Sequence, residues 1–274
     1  MSIRLKIMEK IGLIAGNRRF PIVFSEAAKK KQYHIVAVAI KGDTCAALKK
    51  YVDKIYWLGL HEFSRIFSIF RNEGITNIVM AGQISPHRLF SKEIETNQEL
   101  KDLFSSMENQ KADTIFKAIA EKLEQAGFNL MASTTFMEDL LPQKQTLTGG
   151  EPSFKEWEDI YFGFDLAKEI AHLDIGQTVA VKNKAIVAVE ALEGTDNLIV
   201  RSGKISRGGF TLVKVSRPKQ DMRYDIPVVG LKTIKHLVEA GASCLAIEAG
   251  KTLFLDKDKG VKLANQKGIV VVAV

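Results

Sequence analysis

Cysteine is nearly absent from this 274-residue sequence: Cys45 and Cys244 are the only two, far apart and outside any CxxC spacing. Their scarcity argues against a disulfide framework and against a cysteine zinc site. Histidine is sparse too. His34, His61, His87, His172 and His236 lie scattered without zinc-ligand spacing and are read as unrelated to catalysis. Long hydrophobic runs are missing: the longest, such as 269–274, fall far below the roughly 20 residues that span a bilayer. The first ten residues alternate charged and apolar side chains and hold no signal-peptide core. A soluble, cytoplasmic protein is expected. Neither an internal repeat nor a low-complexity tract occurs.

What is present is an ordinary globular composition, 46% hydrophobic and 26% charged, in a chain long enough for two domains. Lys and Arg outnumber Asp and Glu by 39 to 32, a formal charge of +7. Such a surplus favours phosphorylated ligands, nucleic acid or an anionic membrane, and equally suits a surface with extra lysines. Nucleic acid is disfavoured, because the surplus is spread along the chain without the aromatic-basic interleaving of single-strand binders.

Short β-branched runs at 11–16, 35–40, 55–60 and 77–82 read as strands buried on both faces of a parallel sheet. Helical patterns separate them at 21–31, with proline in the first turn, and at 62–72. A longer helix is expected near 111–126, its apolar face formed by Ile115, Phe116, Ile119, Ala120 and Leu123, with Gly127 at its end. The alternation predicts an α/β fold: an N-terminal doubly wound, Rossmann-like domain with its ligand at the carboxyl ends of the strands, followed by a second α/β domain. The stretch 145–152, QTLTGGEP, interrupts both periods and is the best linker candidate. Beyond it come a helix at 154–173, a hairpin at 178–181 and 185–192 turning at 182–184, and strands at 210–215, 244–249 and 269–274. Helices near 231–240 and 257–266 lie between them.

Four segments offer chemistry. The loop after the first strand, GLIAGNRRFP at 12–21, brings Gly16, Asn17 and Arg18 to a helix N-terminus, where backbone N–H groups can hold a phosphate. It is neither a Walker motif nor a G-x-G-x-x-G fingerprint, and it also suits a purely structural turn. Gly82 and Gln83, after the fourth strand, occupy the equivalent place. In EGTD, Thr195 is expected to cap a helix at 197–202, leaving Glu193 and Asp196 to point at a ligand or cation; a capped helix with a solvated acidic turn fits equally. If 221–225 is extended, Asp221, Arg223 and Asp225 share one side, a pattern suited to Mg²⁺ and pyrophosphate together, with Lys214 adding charge. A loop stitched by its own salt bridges is the other reading.

These blocks resemble the UDP-2,3-diacylglucosamine pyrophosphatases of the LpxI type, enzymes of lipid A synthesis, along nearly the whole chain. The matching segments are GLIAG at 12–16 with Pro21, MAGQISPHRLF, LTGGEP, LDIGQTVAVK, AVEALEGTDNLI, LVKVSRPKQDMRYDIPVVG and CLAIEAGKTLFLD. The resemblance implies hydrolysis of UDP-2,3-diacylglucosamine to 2,3-diacylglucosamine 1-phosphate and UMP, with water directed at the uridine-side phosphorus and Mg²⁺ or another divalent cation required. It implies a nucleotide-binding α/β domain followed by a catalytic, lipid-binding one, in agreement with a division at the linker into 1–145 and 146–274. Carried over by motif, the catalytic candidates are Asp225, Asp221, Thr195 and Asp196, and the metal candidates Asp225, Asp221 and Glu193. Asp225 is expected to be indispensable. Gly16, Asn17, Arg18, Gly82, Gln83, Gln177, Gly194, Lys214 and Arg223 would contact substrate. The lipid substrate implies peripheral contact with the inner membrane surface, and relatives suggest a homodimer. One departure stands out: family members commonly have glycine around Arg18. It motivates the alternative of a non-catalytic nucleotide-sugar binding or regulatory protein on the same fold.

Overall fold

The computed structural model describes residues 8–84, 112–218 and 220–274. The chain divides into two compact units. The N-terminal unit runs to Met137 and also takes in Asp221–Asp225; the C-terminal unit comprises Glu138–Gln220 and Ile226–Val274.

In the N-terminal unit, five strands form one parallel sheet: β1 (Lys10–Ala15), β2 (His34–Ile40), β3 (Lys54–Leu58), β4 (Asn77–Ala81) and β5 (Asn129–Leu130). Their order is β3-β2-β1-β4-β5, so the path of the chain reverses between β1 and β4. Helices α1 (Phe20–Lys30), α2 (Arg65–Asn72) and α3 (Ala112–Gln125) connect them. β1 and β2 are apolar on both faces and almost wholly buried, as strands covered on two sides must be. Phe116, Ile119, Ala120 and Leu123 of α3 pack into the core with Ile66, Phe70 and Ile78; Ile115 lies outside the described side chains. Each such fully buried large side chain contributes about 1.5–3 kcal/mol. The third strand stops at Leu58, earlier than its apolar run suggests. There the Glu62 carboxylate accepts the Gly59 N–H at 2.9 Å and starts a 3₁₀ turn at Leu60–Glu62, which delays α2 to Arg65.

In the C-terminal unit a six-stranded mixed sheet has the order β6-β13-β11-β9-β7-β8. Its strands are β6 (Gln145–Thr146), β7 (Thr178–Lys182), β8 (Ala185–Val189), β9 (Thr211–Lys214), β11 (Cys244–Ile247) and β13 (Val270–Ala273). A parallel pair, β10 (Val228–Gly230) with β12 (Leu253–Leu255), lies apart from it in the ladder. The proposed linker thus begins with an edge strand, because Thr146 pairs with Val272. Helix α4 (Phe154–His172) covers one sheet face; Gly163 lets it approach so closely that a Cβ there would stand 2.8 Å from Val181 and Val213. Helices α5 (Gly194–Ser206), α6 (Leu231–Glu239) and α7 (Lys257–Lys267) contribute Leu198, Ile199, Ile234, Leu237 and Ala264 to the core on the other face. The β7–β8 hairpin turns through Asn183 and Lys184, both left-handed, and the buried Asp159 carboxylate accepts both their N–H groups.

Candidate functional site

At the point where strand order reverses, the loops leaving β1 and β4 lie back to back. The Gly16 N–H donates to Ala81 O at 2.8 Å and the Asn17 N–H to Gln83 O at 2.7 Å. A Cβ on Gly16 would sit 2.5 Å from Gln83 O, and one on Gly82 (φ 87°) 2.6 Å from Asn17 O. Glycine is required at both positions for the backbones to meet. The same bonds correct one expectation: the Gly16 and Asn17 N–H groups are used by the neighbouring loop rather than offered to a phosphate. Arg18 is exposed and takes φ 63°, the left-handed conformation that glycine adopts without cost. The backbone at this non-glycine position thus keeps the shape glycine would give. Beside these loops, Ile40, Leu60, Phe63, Ile84 and Phe116 line a small apolar recess with Gly16 and Gly82. The rest of the MAGQISPHRLF block, 85–90, lies outside the described residues, as does His87.

The segment Asp221–Asp225 belongs to this unit and is a tight turn, not an extended strand. The Tyr224 and Asp225 N–H groups both donate to Asp221 O, at 3.2 and 2.9 Å. In a turn, alternate side chains no longer share one face. Arg223 instead folds back onto Asp221, with Nε 2.9 Å from Oδ1 and Nη2 2.7 Å from Oδ2, and also pairs with Glu124. Hydrogen bonding to Arg223 holds the Asp221 carboxyl below its usual range, and the same pairing raises the guanidinium. Tyr224 stacks on Phe116, with ring centroids 6.4 Å apart, and its phenol is pushed up by burial first and then by Asp221. Fully buried Ser133 donates its N–H to Met222 O at 2.8 Å and places Oγ 2.8 Å from Arg223 O.

The C-terminal unit carries a polar row at the end of an otherwise apolar sheet face. Lys214 on β9 pairs with Thr178 on β7, and Thr178 O accepts the Glu190 N–H at 2.9 Å. Their exposures are 8% for Lys214, 0% for Thr178 and 8% for Glu190, so a cation and an anion lie inside the fold. Thr195, in the first turn of α5, joins them: its Oγ1 accepts from Lys214 Nζ at 2.8 Å and donates to Glu190 Oε1 at 2.6 Å. Among the described residues this hydroxyl is the one hydrogen-bond partner of Lys214 Nζ, and an ammonium has three donors. Thr178 Oγ1 is buried without a partner among the described residues, and so is Gln177 Oε1, while Gln177 O receives the Val215 N–H. Gly176 makes room for the row, since a Cβ there would stand 2.0 Å from Glu190 O.

EGTD therefore differs from its sequence reading. The helix begins at Gly194, which takes φ 78°; Glu193 is its N-cap residue and makes no side-chain cap bond. Thr195 lies inside the helix and serves Lys214 and Glu190 instead of capping. Glu193 binds the Ala191 N–H and Arg201, and Asp196 binds Lys232 at 2.8 Å. Burial alone would raise the Glu193 carboxyl, but hydrogen bonds from backbone and Arg201 hold it low. The sequence reading missed Glu190, Thr178 and Ser133. A charge closing an apolar strand was the available signal for Glu190; nothing local marked Ser133.

Asp221 is occupied by Arg223, Glu193 by Arg201, and among the described residues no group of three His, Cys, Asp or Glu side chains is placed to hold a metal. Among the described residues, too, no helix is long and apolar enough to cross a membrane.

Comparison with known proteins matches both units. Residues 10–140 match the family model described as the LpxI N-terminal domain, and 143–272 that of the LpxI C-terminal domain. A protein of Caulobacter vibrioides, UDP-2,3-diacylglucosamine pyrophosphatase LpxI, is 28% identical over 277 residues, covering 97% of this chain and 98% of its own. Among solved structures, the biotin carboxylase domain of Hydrogenobacter thermophilus 2-oxoglutarate carboxylase aligns at 14% identity and TM-score 0.28, over 73% of this chain and 41% of that one. The N5-carboxyaminoimidazole ribonucleotide synthetase of Thermotoga maritima aligns at 15% identity and TM-score 0.23, over 69% of this chain and 43% of that one. This chain spans less than half the length of either, and likenesses so distant carry no argument.

Proposed function

The chain belongs to the LpxI family, and from that premise we propose that it hydrolyses the pyrophosphate of UDP-2,3-diacylglucosamine. Water adds its oxygen to the uridine-side phosphorus, the bond from that phosphorus to the bridging oxygen breaks, and UMP and 2,3-diacylglucosamine 1-phosphate leave. The observation that carries the reading is the end-to-end match to a named pyrophosphatase of this type. The chain is then an enzyme of that kind.

The residues divide the work as follows. Asp225, the carboxylate that the QDMRYD motif carries over from the family, is assigned to the attacking water, accepting its proton as general base. In the C-terminal unit taken by itself, Lys214, with two ammonium donors directed at no described residue, and Gln177 are the groups proposed to contact phosphate oxygens. The nucleotide end of the substrate is assigned to the loops at Gly16 and Gly82, at the strand-order reversal of a Rossmann-like nucleotide domain. The Mg²⁺ dependence implied by the family is proposed for the reaction but assigned to none of these side chains. The departure at Arg18 does not favour the binding-only alternative, since the loop keeps a glycine-like backbone. Peripheral membrane contact and a homodimer belong to the same proposal; vesicle sedimentation and sedimentation velocity test them.

The deciding experiment measures UMP release by the purified full chain, with Mg²⁺ and with EDTA, beside Asp225→Ala. Release that needs Mg²⁺ and falls by about 100-fold or more in the variant is expected. Full activity in folded Asp225→Ala would remove its assigned role. No release by folded wild type would overturn the reaction.

A further inference from the structure

We propose that Ser133 is a positioning residue for Asp225, holding the Asp221–Asp225 turn against the end of β4; the proposal rests on the role given to Asp225 above. The turn makes its own shape through the bonds to Asp221 O, but those bonds are internal and do not locate it. Location needs anchors from outside the segment. Arg223 to Glu124 is one, with side chains 38% and 45% exposed, so water and salt weaken it. The stack of Tyr224 on Phe116 is another, and ring faces tolerate sliding.

Ser133 differs from both. It is 0% exposed, and it grips the main chain of the turn at two consecutive residues. Its N–H donates to Met222 O at 2.8 Å, and its Oγ lies 2.8 Å from Arg223 O and 2.6 Å from Met80 O of β4. A hydroxyl has one proton, so the two carbonyls share it in a three-centre bond. One side chain thereby ties the backbone two residues before Asp225 to a central strand of the sheet. A base must lie within hydrogen-bond reach of its water, and an error of about 1 Å costs on the order of 100-fold in rate. Ser133 is the fixed point from which that reach is measured.

The test is Ser133→Ala in the full chain, which keeps the N–H bond and removes the hydroxyl. Thr135→Ala is the control, because Thr135 Oγ1 bonds Ala132 O at 2.6 Å within the same loop. Amide hydrogen exchange is read at 222–225, together with kcat and KM for UMP release. In Ser133→Ala, exchange there rises about tenfold or more above the control, and kcat falls about 10- to 100-fold while KM stays within about threefold. Exchange no faster than in the control overturns the proposal, and so does faster exchange with unchanged kcat. The exchange measurement needs no substrate. Wild type without UMP release would therefore sink the hydrolase reading, while exchange at 222–225 would still show whether Ser133 holds the turn.

Discussion

Lys214 and Arg223 stand nine positions apart in one motif and end in opposite circumstances. Arg223 is 38% exposed and grips two carboxylates, Asp221 and Glu124. Lys214 is 8% exposed and pairs with no carboxylate among the described residues; its charge is balanced through the Thr195 hydroxyl by Glu190. A cation already paired has little left for a ligand, while one balanced at a remove keeps donors to give. The comparison teaches that burial without a direct counter-ion, rather than charge density along the sequence, marks the phosphate-binding candidate.

The sharpest way to break that comparison is to neutralise each cation in turn. Lys214→Met should lower kcat/KM for UMP release by about 10- to 100-fold, the value of a charged hydrogen bond of about 1.5–3 kcal/mol. Arg223→Met should stay within about fivefold, because exposed ion pairs contribute about 0–1 kcal/mol. The reverse order would refute the argument. Next in size, Thr195→Val leaves the Glu190 carboxylate and the Lys214 ammonium buried without their bridge, a cost of about 1–3 kcal/mol. Thermal unfolding should register a loss of several degrees, and Thr195→Ser should restore it.

Glu248 sharpens the contrast from the side of a directly paired buried carboxylate. Burial would raise it, but Lys168, the Ser216 N–H and Oγ, and Lys251 together hold it at about 2. A depressed folded value means that its stabilisation is complete above the ordinary value of 4.5 and is lost as pH falls towards about 2. Melting temperature should therefore drop over that window, and Glu248→Gln should flatten the drop. The smallest effect is expected at Arg18. Arg18→Gly removes the left-handed strain but adds unfolded-state freedom, for a net gain of at most about 1 kcal/mol in thermal or denaturant unfolding. A clear loss of stability would show that the Arg18 side chain, not its backbone, shapes the loop.

Much of the architecture was legible because its signals are local. Residues 35–40 suited a doubly buried strand and form one, and the helical spacing of Phe116, Ile119, Ala120 and Leu123 marked the face that packs into the core. Boundaries slipped where a side chain intervened, as Glu62 does by capping Gly59 and cutting β3 short. The candidate site was legible as motifs but not as roles. Thr195 looked like a cap and is a bridge. The alternation of Asp221, Arg223 and Asp225 suggested a shared face, and the turn at Asp221 abolished it.

By itself, the sequence determined the strand-helix alternation, the glycines at 16 and 82 and the family, since periodicity and motif are properties of neighbouring residues. Which charges remain available was decided only in three dimensions. Arg223 is pinned by Glu124 from 99 positions away, and Ser133 holds the turn from 90 away. Desolvation and pairing depend on what the fold brings alongside a side chain, and spacing along the chain carries no record of that.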